Sequence, residues 1–173
     1  MGLLDLWRRG RPPAAAVARL ERDERVTAWG RTSDDSDVLV ATPRGLWLPS
    51  GERVGWHEIH KARWDTGVLT LIRGVEVAPG IREDAPPLRY VLAEPGNLPD
   101  EVRTRVTRSV AYSVHHRLPG GGVRVVGRRV PGRDGLDWAV RYDPGTVRGP
   151  ESEQTVAELL AAARDATAPA PDL

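Results

Sequence analysis

The residues with the clearest chemical potential form the run His57-Glu58-Ile59-His60. Two histidines around a glutamate hold zinc when they stand at i and i+4 on one helical face, with the carboxylate aimed at a bound water. Here the histidines are three apart. A single turn could share them with a metal only if His115 or His116 supplied the missing ligands. The plainer reading is a polar connection between two strands with Ile59 pointing inward, and no metal or cofactor is assigned. The chain lacks cysteine, which excludes thiol nucleophiles, disulfides and cysteine–zinc sites. It has no glycine-rich phosphate loop, no G-x-S-x-G elbow and no dinucleotide fingerprint. Gly120-Gly121-Gly122 reads as the end of a helix, the wrong side for cradling phosphate. No catalytic residue or small-molecule substrate is identified, and a non-enzymatic protein is expected.

The other concentration of chemistry is cationic. The net charge is +1, yet residues 102–142 carry nine arginines against Asp134 and Asp137. Arg103, Arg105 and Arg108 belong to one element; Arg124, Arg128, Arg129, Arg133 and Arg141 belong to a following hairpin. An exposed cluster of this kind suits a nucleic acid, a ribosomal RNA or an anionic surface. Two facts weaken it. Lys61 is the only lysine among 25 basic residues and Phe is absent, so arginine is inflated by a composition typical of high-GC coding. Asp100, Glu101 and the acidic last helix can also pair with these arginines internally.

Three tryptophans are candidate contact aromatics. Trp29 and Trp47 would mark a contact surface if exposed, and Trp138 shares a strand face with Tyr142. The first hairpin loop, Arg31-Thr32-Ser33-Asp34-Asp35-Ser36-Asp37, gathers three carboxylates that repel phosphate, so a soluble turn is expected there. The N-terminal Leu3, Leu4, Leu6 and Trp7 precede their arginines and are too few for a leader or a span, so a cytoplasmic protein is expected.

The elements that must position these groups follow from periodicity. After Pro12-Pro13, residues 13–24 suit a short helix. Residues 25–30, 38–42, 46–49 and 53–56 read as strands, residues 57–60 as one helical turn or a bulge, and 61–65 and 68–72 as a hairpin around Thr66-Gly67. Residues 73–87 read mostly as loop because of Pro79, Gly80, Pro86 and Pro87; 88–93 is a seventh strand. Leu98, Val102, Val106, Val110, Val114 and Leu118 recur every fourth residue and predict one helix over 98–118. Asn97 is its N-cap, Asp100 its capping partner, and His115, His116 and Arg117 its basic end. Residues 123–130 and 136–142 form a hairpin, and 152–164 a last helix with Val156, Leu159 and Leu160 inward.

Seven short strands and one helix, with LVATPRGLWLP, RVGW and HEIHKARWDTGVLTL in that order, resemble bacterial pleckstrin-homology-like domains, including GRAM-like domains, over residues 25–118. The chain also resembles small actinobacterial proteins, which implies no activity. The family resemblance implies a seven-stranded antiparallel barrel or sandwich of two crossed sheets, plugged at one end by the helix. The expected α+β organisation is a helical arm (1–24), the pleckstrin-homology-like domain (25–118), a basic hairpin (119–148), a C-terminal helix (149–166) and a tail (167–173). Basic residues around the first hairpin hold phosphoinositides in many such domains; the acidic loop here departs from that pattern. The expected function is a binding or adaptor protein acting through a protein partner. RNA or ribosome binding through the arginines is second, and membrane-surface association ranks third. Arginines gathered on one open face would favour nucleic acid; arginines dispersed among carboxylates would favour a protein.

Overall fold

The computed structural model describes residues 11–34 and 37–168. The expectations for residues 3–7, for Asp35-Ser36 and for the last five residues of the tail lie outside them. The order is α1 (Ala14–Val17), β1 (Ala28–Thr32), β2 (Val38–Ala41), β3 (Gly45–Trp47), β4 (Arg53–Gly55), a 3-10 turn (Trp56–Glu58), β5 (Ile59–Asp65), β6 (Val68–Ala78), β7 (Ile81–Asp84), β8 (Leu88–Glu94), α2 (Leu98–Ser109), β9 (Val110–Leu118), β10 (Gly121–Arg129), β11 (Leu136–Tyr142) and α3 (Pro150–Ala166). This is an α+β protein with a large, mostly antiparallel sheet of eleven strands. The sheet runs β4-β3-β2-β1-β8-β6-β7-β11-β10-β9, with β5 on β6, and it is not closed. β11 meets β7 in parallel through Val140 and Ile81, and every other pairing is antiparallel.

The expected helix over 98–118 stops at Ser109, and Val110–Leu118 is a strand. A spacing of four satisfies both periods: it is one helical turn, and it is also two strand repeats. Val110, Tyr112 and Ser113 are weak helix formers, and β10 supplies a ladder of backbone partners from Leu118 back to Val110. Pro119-Gly120 makes a two-residue turn in that hairpin, so the triple glycine begins a strand rather than ending a helix. Asn97 occupies the N-cap without a side-chain bond, and Pro99 opens the first turn instead of a capping box.

Residues 73–87 are not mostly loop. β6 continues to Ala78 and β7 returns along it. The prolines and Gly80 bound these strands instead of interrupting them, as proline must when it cannot donate to a ladder. The Thr66-Gly67 turn is as expected. Both residues have positive φ, 46° and 79°, the type I′ geometry that matches strand twist.

Two cores result. Leu39, Leu46, Val54, Trp56, Ile59, Leu69 and Leu71 are buried under the Leu98, Val102 and Val106 face of α2. Val123, Val125 and Val140 are buried under Val156, Leu159, Leu160 and Ala163 of α3.

The N-terminal helix is confined to Ala14–Val17, because the acids that follow are drawn into tertiary pairs. Glu24, with a fully buried side chain, accepts from Thr42 Oγ1 (2.8 Å), Trp47 Nε1 (3.1 Å) and Arg53 Nη1 (3.0 Å). Glu21 and Asp23 hold Arg44. Burial alone would raise the Glu24 carboxyl; the Glu21 N–H, Thr42 and Arg53 outweigh it and hold it below its ordinary value. Glu24→Ala strands the Trp47 Nε1–H and removes one of two acidic partners from Arg53, which keeps Glu21, and a loss of about 1–3 kcal/mol in urea unfolding at pH 7 is expected.

Candidate anion-binding cleft

The strand pleat decides where the arginines go. Consecutive strand residues face opposite ways, so Arg128 and Arg129 cannot share a surface. Arg128 points toward the first core and is buried, donating from Nη1 to Ile59 O (3.1 Å) and Ser109 Oγ (2.8 Å). Arg141, on the same sheet face, donates to Asp84 Oδ1 (2.6 Å), and Arg124 donates to Ser113 Oγ (3.3 Å). Arg105 is tied to Glu101 (2.9 Å). The single arginine face that the sequence allows is therefore not formed.

What the structure brings together instead is a cleft of about 830 Å³ between the end of α2, the β10–β11 turn and the end of α3. Arg105, Arg108, Arg129, Arg133 and Arg164 line it, and among the described residues Asp134 is the one acid in the lining. Its wall is apolar, made by Pro43, Trp56, Val130, Pro131, Leu136 and Trp138. Arg129 donates to the carbonyls of Arg108 and Val110 (3.0 and 3.4 Å), which fixes its stem at the rim. Among the described residues Arg108, Arg129, Arg133 and Arg164 have no carboxylate within ion-pair distance. Trp138 rests against Tyr112, with ring centroids 5.4 Å apart.

Of the expected residues, Arg105, Arg108, Arg129, Arg133 and Trp138 line the cleft. Arg103, Arg124, Arg128 and Arg141 do not. Trp29 and Trp47 are half-buried and hold the N-terminal segment with Ala16, Val38 and Val40. Arg164, Leu136 and Trp56 were not singled out by sequence. Nothing local marks Arg164, which reaches the cleft only because α3 lies along β10 and β11.

The histidines separate. Ile59 is fully buried, as expected. His60 Nδ1 meets Asp84 Oδ1 at 2.8 Å with its side chain almost wholly buried, and with Asp84 ionised the proton sits on Nδ1. His115 is not at a helix end; it lies on β9 and meets Asp143 at 2.7 Å. Among the described residues no three histidines or carboxylates gather as a metal site.

His60, Asp84, Arg128 and Arg141 form a polar seam where β5 and β7 meet β10 and β11, with the His60 side chain and Arg128 buried and Asp84 open to solvent. Burial lowers the His60 pKa; the Asp84 bond opposes this, and Arg141 and Arg128 reinforce it. Burial would raise Asp84, but His60, Arg141 and Lys61 hold it down. His60 also lies flat against Gly74, where an added Cβ would stand 1.9 Å from Nε2. Two acids of the first hairpin loop are engaged internally: Asp34 accepts from Thr32 Oγ1 (2.6 Å) and Asp37 pairs with Arg19 (3.4 Å). No helix among the described residues is long and apolar enough to cross a membrane. No family model, curated protein or solved structure matches the chain.

Both seam groups titrate below their ordinary values, 6.5 for His60 and 3.8 for Asp84, so each binds its proton less readily folded than unfolded. Their stabilisation is complete above pH 6.5 and is lost as pH falls, first through the His60 range and then below that of Asp84. Urea midpoints should fall from pH 7 to pH 5, and His60→Gln should flatten that slope. Gly74→Ala should cost about 1–3 kcal/mol through the clash with His60.

Proposed function

We propose that this chain is a non-enzymatic binding protein, and that its cleft receives an acidic segment of a protein partner. One observation carries the reading: among the described residues, four arginines with no carboxylate within ion-pair distance converge on one concavity in which Asp134 is the one acid. Converging guanidiniums offer forked donors to carboxylates and are more weakly hydrated than ammonium groups, which suits an interface. The dispersal of the remaining arginines supports a protein over a nucleic acid. Arg128 is buried, Arg141 is neutralised by Asp84 and Arg124 donates to Ser113, whereas a phosphate backbone wants a stripe of exposed cations rather than one pocket.

The scaffold reading is a pleckstrin-homology-like unit in β1–β8 and α2. Eight strands precede α2, one more than the resemblance implies, and α2 lays its apolar face on a core shared by several of them. β7 is the departure from that order: it extends the sheet toward β11. The His60–Asp84 pair supports the non-enzymatic reading, because its imidazole is sealed against Gly74 and out of reach of a substrate.

A fluorescein-labelled decaglutamate peptide tests the cleft by anisotropy at low and moderate salt. Binding that weakens about tenfold or more in the Arg108→Glu, Arg129→Glu, Arg133→Glu triple variant is expected. Retained affinity in that variant would remove the cleft from the reading. Preference for a labelled oligouridine over the peptide would move the assignment to RNA.

A further inference from the structure

The cleft has two chemistries, and a purely anionic ligand uses one of them. Its arginines stand at the mouth: Arg108, Arg129, Arg133 and Arg164 are exposed. Its wall is apolar: Val130, Pro131, Leu136 and Trp138 are half-buried, with side chains packed on one side and lining the cleft on the other. An acidic ligand bound at the mouth alone leaves that wall wet. Filling it with an apolar group gains affinity in proportion to the area removed from water. Asp134, beside Arg133, repels a carboxylate at that end and gives the site a direction.

We propose that the partner segment carries one large aliphatic or aromatic side chain flanked by carboxylates, the apolar group seated against Leu136 and Trp138 and the carboxylates taken by Arg108, Arg129 and Arg164. This rests on the acidic-segment reading above and names its anchor. A nucleic acid fits less well. Its bases would reach the wall only with a phosphate every nucleotide, and of the hairpin cations Arg128 is buried and Arg141 is bound to Asp84 on the opposite face of β10 and β11.

The full chain is titrated with three labelled peptides, Glu-Glu-Leu-Glu-Glu, Glu-Glu-Ser-Glu-Glu and Ser-Ser-Leu-Ser-Ser, while tryptophan emission is followed in parallel. The first peptide should bind about tenfold more tightly than the second. The third should bind least. The first should also shift tryptophan emission, and the shift should shrink in Trp138→Phe. Leu136→Ser, which lies outside the fully buried core, should bring the first peptide to the affinity of the second, with an unchanged circular dichroism spectrum. Equal affinity of the two acidic peptides overturns the anchor and leaves the anion-binding cleft standing. Failure of both acidic peptides, with or without binding of oligouridine, overturns the cleft reading and the anchor together.

Discussion

A guanidinium taken out of water must find acceptors, and Arg128 finds them on two elements far from it in sequence. Its Nη1 reaches the carbonyl of Ile59, where β5 begins, and the hydroxyl of Ser109, where α2 ends. Among the described residues no carboxylate hydrogen-bonds it; burial, Arg141 and Arg82 oppose its charge, and Asp137 favours it. The position holds only while the three elements stay in place. Ser109 is doubly engaged, donating to Val106 O at 2.7 Å while accepting from Arg128, so the point where helix gives way to strand is pinned by a side chain from β10. Around this contact lie Asp84 with His60 and Arg141, and Asp137 with Arg82, which join the two cores where strand pairing is thinnest.

The cleft is a product of the same junction. Pro43 and Trp56 belong to the first core's elements, Arg105 and Arg108 to α2, and the arginines and apolar wall of the β10–β11 turn to the second. No single element makes it. Its charge therefore depends on how the halves meet, and so does its shape. The turn between β10 and β11 supplies Val130, Pro131, Arg133, Asp134 and Gly135 to the lining of the cleft.

Much of this was legible. The hairpin around Thr66-Gly67 follows from a β-rich run broken by a residue pair suited to positive φ. The last helix and its inward Val156, Leu159 and Leu160 follow from helical spacing. The inward Ile59 follows from its polar neighbours. Residues 110–118 were misread because valines four apart fit a helix and a strand equally, and only the presence of β10 as a partner separates the two. The cleft was half legible: the arginines of 102–142 were visible as a group, but Arg164 and the apolar wall were not. The alternation that sends Arg128 and Arg129 to opposite faces was in the sequence, yet its consequence needed the knowledge of what each face packs against.

By itself the sequence determined the α+β class, most strand positions, the absence of thiol chemistry and the uneven placement of positive charge, because each depends on composition or on contacts within a few residues. Tertiary structure alone decided which arginines are spent on internal partners, where α2 stops, how far β6 runs, and that five arginines meet over an apolar wall. Those outcomes depend on pairings between residues tens of positions apart. The energy of such pairings comes from desolvation and from acceptors on other elements, and neither is written in local spacing.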